Sequence, residues 1–183
     1  DTAMQTCVGQ MLDTFSEGAS QDMATAERYD AIVRYKTTYY TIYNPLAAGV
    51  ILARVEDEAA LLRAAHAAAM VLGQLFQEQD DYLDVFGDPA VMGKVGTDVQ
   101  DGKCTWLLAH ARERATEAQR AELEAHYGTR DGAARVKALF AELGTHEEFA
   151  RRQAAHAAAC ADVDERLQPV VSAILAELMH RKA

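Results

Sequence analysis

The chain has 183 residues, half of which are hydrophobic, and a formal net charge of −10 at pH 7. This length fits one domain with a sizeable core. The excess of acidic residues argues against general binding of nucleic acid or of an anionic membrane surface. Binding of a diphosphate is still compatible with this charge, because divalent cations held by carboxylates reverse the local sign.

Helical periodicity runs along almost the whole chain and predicts an all-α fold without strands. Ala, Leu, Glu, Arg and Gln dominate long stretches, and these residues lose little side-chain freedom in a helix. The predicted helices cover, in chain order, about 1–16, 26–53, 58–86, a segment that starts near 101 and contains Trp106, 116–128, 131–143 and 146–181.

Glycines and prolines set the boundaries of these helices. The stretch Ser16–Asp22 ends the first helix, and Pro45 predicts a kink in the second. Gly87-Asp88-Pro89 ends the third helix, and residues 87–102 have the pattern of an irregular loop. Pro169 is expected to bend or break the last helix. Since no segment is rich enough in Gly, Ser or Pro to be a linker, we interpret residues 1–183 as a single domain.

The cysteine content points to a reducing compartment. Cys7, Cys104 and Cys160 are odd in number and far apart, so they form neither a disulfide framework nor a zinc site. We expect a cytoplasmic protein with no membrane span, because no apolar run approaches the roughly 18–20 residues that a bilayer requires. The chain opens on Asp1 inside a helical apolar pattern, so we expect it to begin in the middle of a helix. A targeting segment upstream would not be visible.

The segment 77–84 carries the pattern most typical of a chemical site. On a helix, Gln77, Asp80, Asp81 and Asp84 fall on one face. Like charges at this spacing destabilise a helix by roughly a few tenths of a kcal/mol, so three carboxylates on one face need a reason. Mg²⁺ prefers one or two carboxylates together with waters and phosphate oxygens. The alternative is a solvated acidic face.

Two lysines follow this acidic segment within a glycine-rich stretch. Gly93 and Gly96 let the backbone turn back tightly. Lys94 and Lys103 can then approach the acidic face, as compact positive charges suited to phosphate. Each element is weak by itself, but the combination predicts a pocket for a metal and a diphosphate.

A third group of polar side chains lies upstream, within the second predicted helix. Lys36, Thr37 and Tyr40 occupy positions i, i+1 and i+4, which share one face of an α-helix. A lysine and two hydroxyl groups there can serve an anion. The usual interpretation of such residues is a lysine that extends to solvent and a tyrosine that packs in the core.

Several segments resemble the second aspartate-rich region, a DDxxD motif, of eukaryotic-type farnesyl-diphosphate synthases. The residues that carry the resemblance are Phe76-Gln77-x-Gln79-Asp80-Asp81-Tyr82-Leu83-Asp84, Gly87-Asp88-Pro89, Gly93-Lys94-x-Gly96-Thr97-Asp98 and Asp101-x-Lys103-Cys104-x-Trp106. Tyr35-Lys36-Thr37-x-x-Tyr40 and Gly9-Gln10-x-Leu12-Asp13 match two earlier segments of the same family in the same order. The resemblance covers essentially the whole chain and becomes loose after about residue 130.

This resemblance implies the fold and the reaction. The fold is a bundle of long antiparallel helices around a central cavity, of the isoprenoid synthase type, usually as a homodimer. The reaction is the head-to-tail condensation of isopentenyl diphosphate with an allylic diphosphate such as dimethylallyl or geranyl diphosphate. Mg²⁺ ions bound by two aspartate-rich motifs neutralise the departing diphosphate, which otherwise leaves poorly.

The resemblance also implies a metal site, residue by residue. Asp80 and Asp84 would face the metal, and Asp81 would support the cluster. Asp98 matches a further acidic residue near the same ion. Asp13 matches the helix that lines the opposite wall, and we include it among the metal-binding candidates.

The candidate substrate-binding and catalytic residues are Gln10, Lys36, Thr37, Tyr40, Gln77, Lys94 and Lys103. Lys36 and Lys94 would grip the allylic diphosphate, while Gln77 and Thr37 would border the reacting centre. Thr37 and Tyr40 would take part in removing the proton. The remaining two are implied to line or support the site.

The family's first aspartate-rich motif, and the basic residues that bind isopentenyl diphosphate, are absent from these 183 residues. One explanation is that the chain is the C-terminal half of a complete synthase. Another is a natural short relative that acts as a non-catalytic partner or regulatory subunit of a complete synthase. Either explanation predicts little or no synthase activity of this polypeptide alone. A third alternative is an acidic helical bundle that binds Mg²⁺ incidentally.

Overall fold

The computed structural model describes residues 1–18 and 24–180, and these ranges contain helices and no β-strand. The all-α prediction is therefore confirmed. The helices, in chain order, are α1 (Thr2–Thr14), α2 (Ala26–Ile32), a π-helix (Val33–Tyr43), α3 (Asn44–Ala53), α4 (Glu58–Phe86), α5 (Pro89–Met92), α6 (Asp98–Asp101), α7 (Trp106–Arg114), α8 (Glu117–His126), α9 (Ala133–Glu142), α10 (Thr145–Cys160) and α11 (Gln168–His180).

Helix α4, with 29 residues, is the centre of the packing. It lies against the π-helix, α3, α7, α10 and α11. One hydrophobic cluster surrounds Trp106 and Phe140, and a second surrounds Leu72 and Leu75 of α4. Leu72, Leu75 and Trp106 are at most 1% exposed, so the apolar face of α4 is covered as the sequence predicts.

The predicted helix 26–53 changes its winding upstream of Pro45, the position of the expected kink. Residues 33–43 form a π-helix, in which backbone hydrogen bonds span five residues instead of four, and α3 continues from it without a break. Pro45 lies in the first turn of α3, where its missing N–H is tolerated. The irregularity therefore precedes Pro45 and takes the form of wider turns.

The predicted loop 87–102 contains two short helices, α5 and α6. The helix expected to start near Asp101 starts at Trp106 instead. Gly102 has a left-handed backbone (φ 66°) that ends α6, and the Thr105 hydroxyl accepts the Leu108 N–H to begin α7. The predicted start of this helix was wrong because residues 98–101 form a separate short helix, α6, which ends at Gly102.

The C-terminal third follows the predicted helices closely. Thr116 and Gln119 form a reciprocal capping box at the start of α8. The last predicted helix, 146–181, is broken into α10 and α11, and the interruption at 161–167 precedes Pro169, which lies in the first turn of α11. The predicted end at residue 181 and the part of the Ser16–Asp22 boundary from 19 onward lie outside the described residues.

Helix α4 is, in the part of the chain that the structure describes, the one helix that is long and apolar enough by composition to cross a membrane. The sequence analysis did not anticipate this. A central core helix meets the same criteria, and α4 packs against six other helices of the domain. The absence of a membrane span stays a prediction.

Candidate active site

A close helix crossing brings the first two site segments together. Gly9 of α1 lies directly on the backbone of Tyr35 and Lys36 in the π-helix, and a Cβ atom at position 9 would collide with that backbone. Only glycine permits this approach. The crossing places Asp13, one turn further along α1, beside the side chain of Lys36.

Asp13 joins the two lysines that the sequence assigns to the site. Its Oδ2 atom lies 2.5 Å from Lys36 Nζ and 3.1 Å from Lys103 Nζ. The Lys103 ammonium also pairs with Glu17. The carboxylate of Asp13 is nearly inaccessible, so its charge is compensated by lysines and not by solvent.

A hydrogen-bonded chain connects the π-helix to the acidic face of α4. The Thr37 hydroxyl donates to Gln77 Oε1 at 2.7 Å, and Gln77 Nε2 donates to Asp81 Oδ1 at 2.8 Å. These bonds fix which amide atom of Gln77 faces each neighbour. The predicted association of Thr37 with Gln77 is thus present in the structure.

These groups surround a cavity of about 100 Å³, which we call the acidic pocket. Seven of the sequence candidates line it, together with residues of α2 and of the α6–α7 connection. Its lining is Asp13, Tyr29, Ile32, Lys36, Gln77, Asp80, Asp81, Asp98, Lys103, Cys104 and Thr105.

Burial controls the protonation of Asp81. Removal from water raises the pKa of Asp81 well above its usual range, and the carboxylates of Asp98 and Asp80 act in the same direction. Burial also raises the pKa of the adjoining Tyr29 hydroxyl, and Asp81 and Glu78 reinforce this. The interaction between the Tyr29 hydroxyl and the Asp81 carboxyl group opposes the rise in the pKa of Asp81 and reinforces that of Tyr29.

Asp98 is the second perturbed carboxyl group of the pocket. Burial, followed by repulsion from Asp84 and Asp80, raises the pKa of Asp98 to about 7, against the opposing effect of Lys103 and Lys94. Its ordinary value is 3.8. A cation bound nearby would favour the ionised form.

Asp84 and Lys94 do not line the acidic pocket, but both lie close enough to Asp98 to influence its pKa. Asp84 Oδ2 accepts the backbone N–H of Asp98 at 2.9 Å, and Lys94 Nζ lies 3.6 Å from Asp84 Oδ1. Gly96 packs on the backbone of Asp84 so closely that a Cβ would overlap it. Both side chains border a separate cavity of about 240 Å³ between the 87–97 loop and α9. In this arrangement Asp84 anchors the loop that carries Lys94.

Two further candidates lie outside the acidic pocket. Gln10 is exposed, and its amide donates to Thr14 on the same helix. Tyr40 is 64% exposed, whereas Thr37 is buried. A π-helix holds more residues per turn than an α-helix, so residues three apart no longer share a face. Lys36, Thr37 and Tyr40 therefore do not form the single face that the sequence predicted.

Comparison with known proteins identifies the family. The family model described as polyprenyl synthetase matches residues 1–143. The chain belongs to the polyprenyl synthetase family.

Curated members of this family are similar over most of the chain. Farnesyl pyrophosphate synthase of Rattus norvegicus is 45% identical over 157 residues, which cover 81% of this chain and 43% of that protein. The enzyme of the same name from Gallus gallus is 44% identical over 153 residues, covering 81% of this chain and 41% of that protein. The chain thus spans less than half the length of these relatives.

Solved structures of polyprenyl synthetase family members share the fold. T. brucei farnesyl diphosphate synthase complexed with bisphosphonate BPH-1326 superposes with a TM-score of 0.86 at 30% identity, covering 100% of this chain and 69% of that one. The same synthase complexed with risedronate gives a TM-score of 0.81 at 32% identity, covering 97% and 55%. The resemblance to farnesyl-diphosphate synthases and the all-α isoprenoid synthase fold are confirmed.

The family uses divalent metal, and the donor set of the acidic pocket suits such an ion. Asp80, Asp81 and Asp98 supply hard oxygen ligands. Within the described ranges, however, no three Asp, Glu, His or Cys side chains are grouped closely enough to hold a metal unaided.

The sequence analysis missed two residues of this polyprenyl synthetase site. Tyr29 lines the acidic pocket, and Glu17 holds Lys103 at its edge. Tyr29, Ile32 and Lys36 are spaced three and four residues apart, so helical periodicity could have found Tyr29. Glu17 follows the end of α1, and no local pattern links it to Lys103.

Proposed function

We propose that this chain provides one diphosphate-binding wall of a farnesyl-diphosphate synthase-type prenyltransferase. The observation that carries the proposal is the acidic pocket, in which Asp80, Asp81 and Asp98 lie opposite Lys36 and Lys103. The membership of the chain in the polyprenyl synthetase family supports the same reaction class.

Mg²⁺ held by Asp80, Asp81 and Asp98 would supply positive charge to the diphosphate of the allylic substrate and so make it a better leaving group. Lys36 borders the pocket and is available to bind a phosphate oxygen once the anion competes with Asp13. Lys94 is 54% exposed on its loop and contributes a second cation. Asp13 and Asp84 then act by holding these two lysines in place.

In the proposed condensation, the C–O bond of the allylic diphosphate breaks and pyrophosphate leaves with the bonding electrons. The double bond of isopentenyl diphosphate provides the electron pair for the new carbon–carbon bond, and the resulting cation loses a proton to the departed pyrophosphate. Thr37 donates a hydrogen bond to Gln77 at the edge of the pocket, where it would border the reacting carbon. We retain Thr37 and Tyr40 as the proposed participants in proton removal.

We also propose a cytoplasmic homodimer. Helix α1 exposes Met4, Val8, Met11 and Phe15, each between 42% and 70% accessible. Their spacing places them on one face of the helix. A stripe of large apolar side chains suits a surface that another polypeptide covers.

The function is tested with a chimera in which this chain replaces the equivalent segment of the 45% identical rat synthase. The chimera should condense isopentenyl diphosphate with geranyl diphosphate in a Mg²⁺-dependent way. Asp80→Ala should lower kcat/KM by orders of magnitude, while the exposed Asp131→Ala should leave it unchanged. A loss below about tenfold, or roughly 1.4 kcal/mol, would remove Asp80 from the metal site. The isolated chain is expected to show little or no turnover.

A further inference from the structure

A further cavity lies beside α4, on a face adjacent to the one that borders the acidic pocket. It has a volume of about 520 Å³ and is bounded by α2, the π-helix, α4 and α10. We call it the arginine groove, because Arg34, Arg151 and Arg152 all border it. This volume is within the range of small-molecule sites.

The buried carboxylate of the groove is already neutralised. Glu78 is 2% exposed, and its Oε1 atom accepts from Arg152 Nη1 at 2.8 Å and from Gln74 Nε2 at 3.2 Å. Its Oε2 atom lies 2.9 Å from His156 Nε2. These contacts hold the pKa of Glu78 below its ordinary value, although burial opposes them. Glu78 therefore presents no uncompensated negative charge to a ligand.

The three guanidinium groups keep donors that the protein does not use. Arg151 directs Nε and Nη2 to Glu148, which leaves Nη1, and Arg152 directs Nε to Glu148 and Nη1 to Glu78, which leaves Nη2. Across residues 1–18 and 24–180, Arg34 makes neither a hydrogen bond nor an ion pair.

The groove is also partly rigid. The guanidinium of Arg152 stacks over the ring of Trp106, with its central carbon 4.9 Å from the ring centroid. Its two carboxylate partners fix its remaining orientation. Since the remaining Nη2 donor of Arg152 is already oriented by these contacts, little ordering entropy remains to be lost when it donates to a phosphate oxygen.

We propose that the arginine groove binds a small phosphate-bearing anion, independently of divalent metal. Arg34, Arg151 and Arg152 would donate to the phosphate oxygens, and Met70, Val71 and Ala155 offer apolar contact to any attached hydrocarbon. The acidic side chains of the groove are Asp30 and Glu78, and Asp30 accepts a hydrogen bond from Gln74. The inference does not depend on the prenyltransferase function proposed above.

The position of the groove connects it to the acidic pocket. On the π-helix, Arg34 and Thr38 border the groove, while Lys36 borders the pocket. On α4, Glu78 borders the groove, while the adjacent Gln77 borders the pocket. An anion in the groove therefore contacts the same two helices that build the candidate active site. If the anion binds one arrangement of these helices more tightly than another, it shifts their population and so changes the acidic pocket.

Calorimetric titration of the 183-residue chain tests this inference. The titrants are inorganic phosphate, pyrophosphate and geranyl diphosphate, each in EDTA, so that the carboxylates of the acidic pocket repel the anion. Arg34→Gln removes a charge that has no partner in the described structure, so the fold should be retained. Arg63→Gln is the matched control, because Arg63 is also exposed and lies on α4 away from the groove.

We expect metal-independent binding that Arg34→Gln weakens by about tenfold, or roughly 1.4 kcal/mol, and that Arg63→Gln leaves unchanged. Tighter binding of geranyl diphosphate than of pyrophosphate would assign the groove to a prenylated phosphate, and equal binding would assign it to the free anion. The inference fails if no titrant binds in EDTA, or if Arg63→Gln weakens binding equally. It also fails if Lys36→Gln abolishes binding and Arg34→Gln does not, since the anion then occupies the acidic pocket.

Discussion

The Thr37 hydroxyl donates a hydrogen bond of 2.7 Å to the side-chain oxygen of Gln77, and this contact joins the π-helix to α4 at the edge of the acidic pocket. The two residues are 40 positions apart in the chain. The amide nitrogen of Gln77 in turn donates a hydrogen bond to Asp81. The orientation of the acidic face therefore depends on a hydroxyl group of another helix.

Replacement of that hydroxyl should be measurable as a loss of stability. Thr37→Val leaves the half-buried Gln77 oxygen without its donor, so we expect the free energy of unfolding to fall by about 1–2 kcal/mol. The comparison is Thr129→Val, which removes an equally short but exposed hydrogen bond that water can replace. Urea denaturation of both variants measures the difference. Equal losses in the two variants would contradict a structural role of the Thr37–Gln77 bond.

The crossing of α1 over the π-helix predicts opposite effects for two glycine substitutions. Gly9→Ala forces a methyl group into the backbone at Lys36, so the free energy of unfolding should drop by at least about 2 kcal/mol. Gly49→Ala lies in α3 with open space around it and should stabilise the chain by about 0.5–1 kcal/mol. Thermal or urea denaturation of both variants measures these changes in the free energy of unfolding. A neutral Gly9→Ala would mean that the helices are not in contact there.

The raised pKa of Asp98 predicts how the stability of the metal-free chain depends on pH. The pKa is about 7 in the folded chain against an ordinary value of 3.8, so between these values the folded state binds more protons than the unfolded state. The contribution is complete below about pH 4 and is lost as the pH rises through about 7. Stability in EDTA should therefore decline across this window.

Asp98→Asn should flatten this decline and stabilise the metal-free chain at pH 8 by about 1–2 kcal/mol. The raised pKa of Asp81 acts in the same direction, so part of the decline will remain. Asp131→Asn, at an exposed position, serves as the control and should reproduce the original profile. An unchanged profile for Asp98→Asn would show that this carboxyl group titrates normally.

The three thiols should differ in reactivity. Cys7 is exposed, whereas Cys104 and Cys160 are buried, and burial raises the pKa of Cys104 to about 11 and raises that of Cys160. Because the thiolate is the reactive form, a disulfide reagent should modify one thiol rapidly in the native chain and all three after denaturation. Cys7→Ser should abolish the fast phase. Its persistence would place another thiol at the surface.

Much of the fold follows from local sequence patterns. The 3.6-residue periodicity and the stop signals located α4 to the residue, because Gly87-Asp88-Pro89 ends it unambiguously. The π-helix was not predicted, since the widening from 33 to 43 has no marker comparable to the proline that follows it. Its wider turns are also why Tyr40 does not lie on the same face as Thr37.

The sequence predicted which residues belong to the site, but not that they border two different cavities. Helical spacing placed Gln77, Asp80 and Asp81 together, whereas Asp84 borders the neighbouring cavity and contacts the pocket through Asp98. The reason is the glycine-rich loop, in which Gly96 and the Asp98 N–H fold back onto Asp84. Such long-range contacts, like the pairing of Glu17 with Lys103, have no periodic signature in a single sequence.

The most direct test of the acidic pocket is calorimetric titration of the chain with pyrophosphate, with and without Mg²⁺. The Arg34→Gln background lowers the contribution of the arginine groove, and the binding that remains in EDTA is the baseline for the comparison. We expect Mg²⁺ to add a binding event for pyrophosphate beyond that baseline, and Asp80→Ala to weaken the added binding by at least about tenfold. Equal binding with and without Mg²⁺, or an Asp80→Ala chain that binds as tightly as its parent, would contradict a metal-dependent diphosphate site in this pocket.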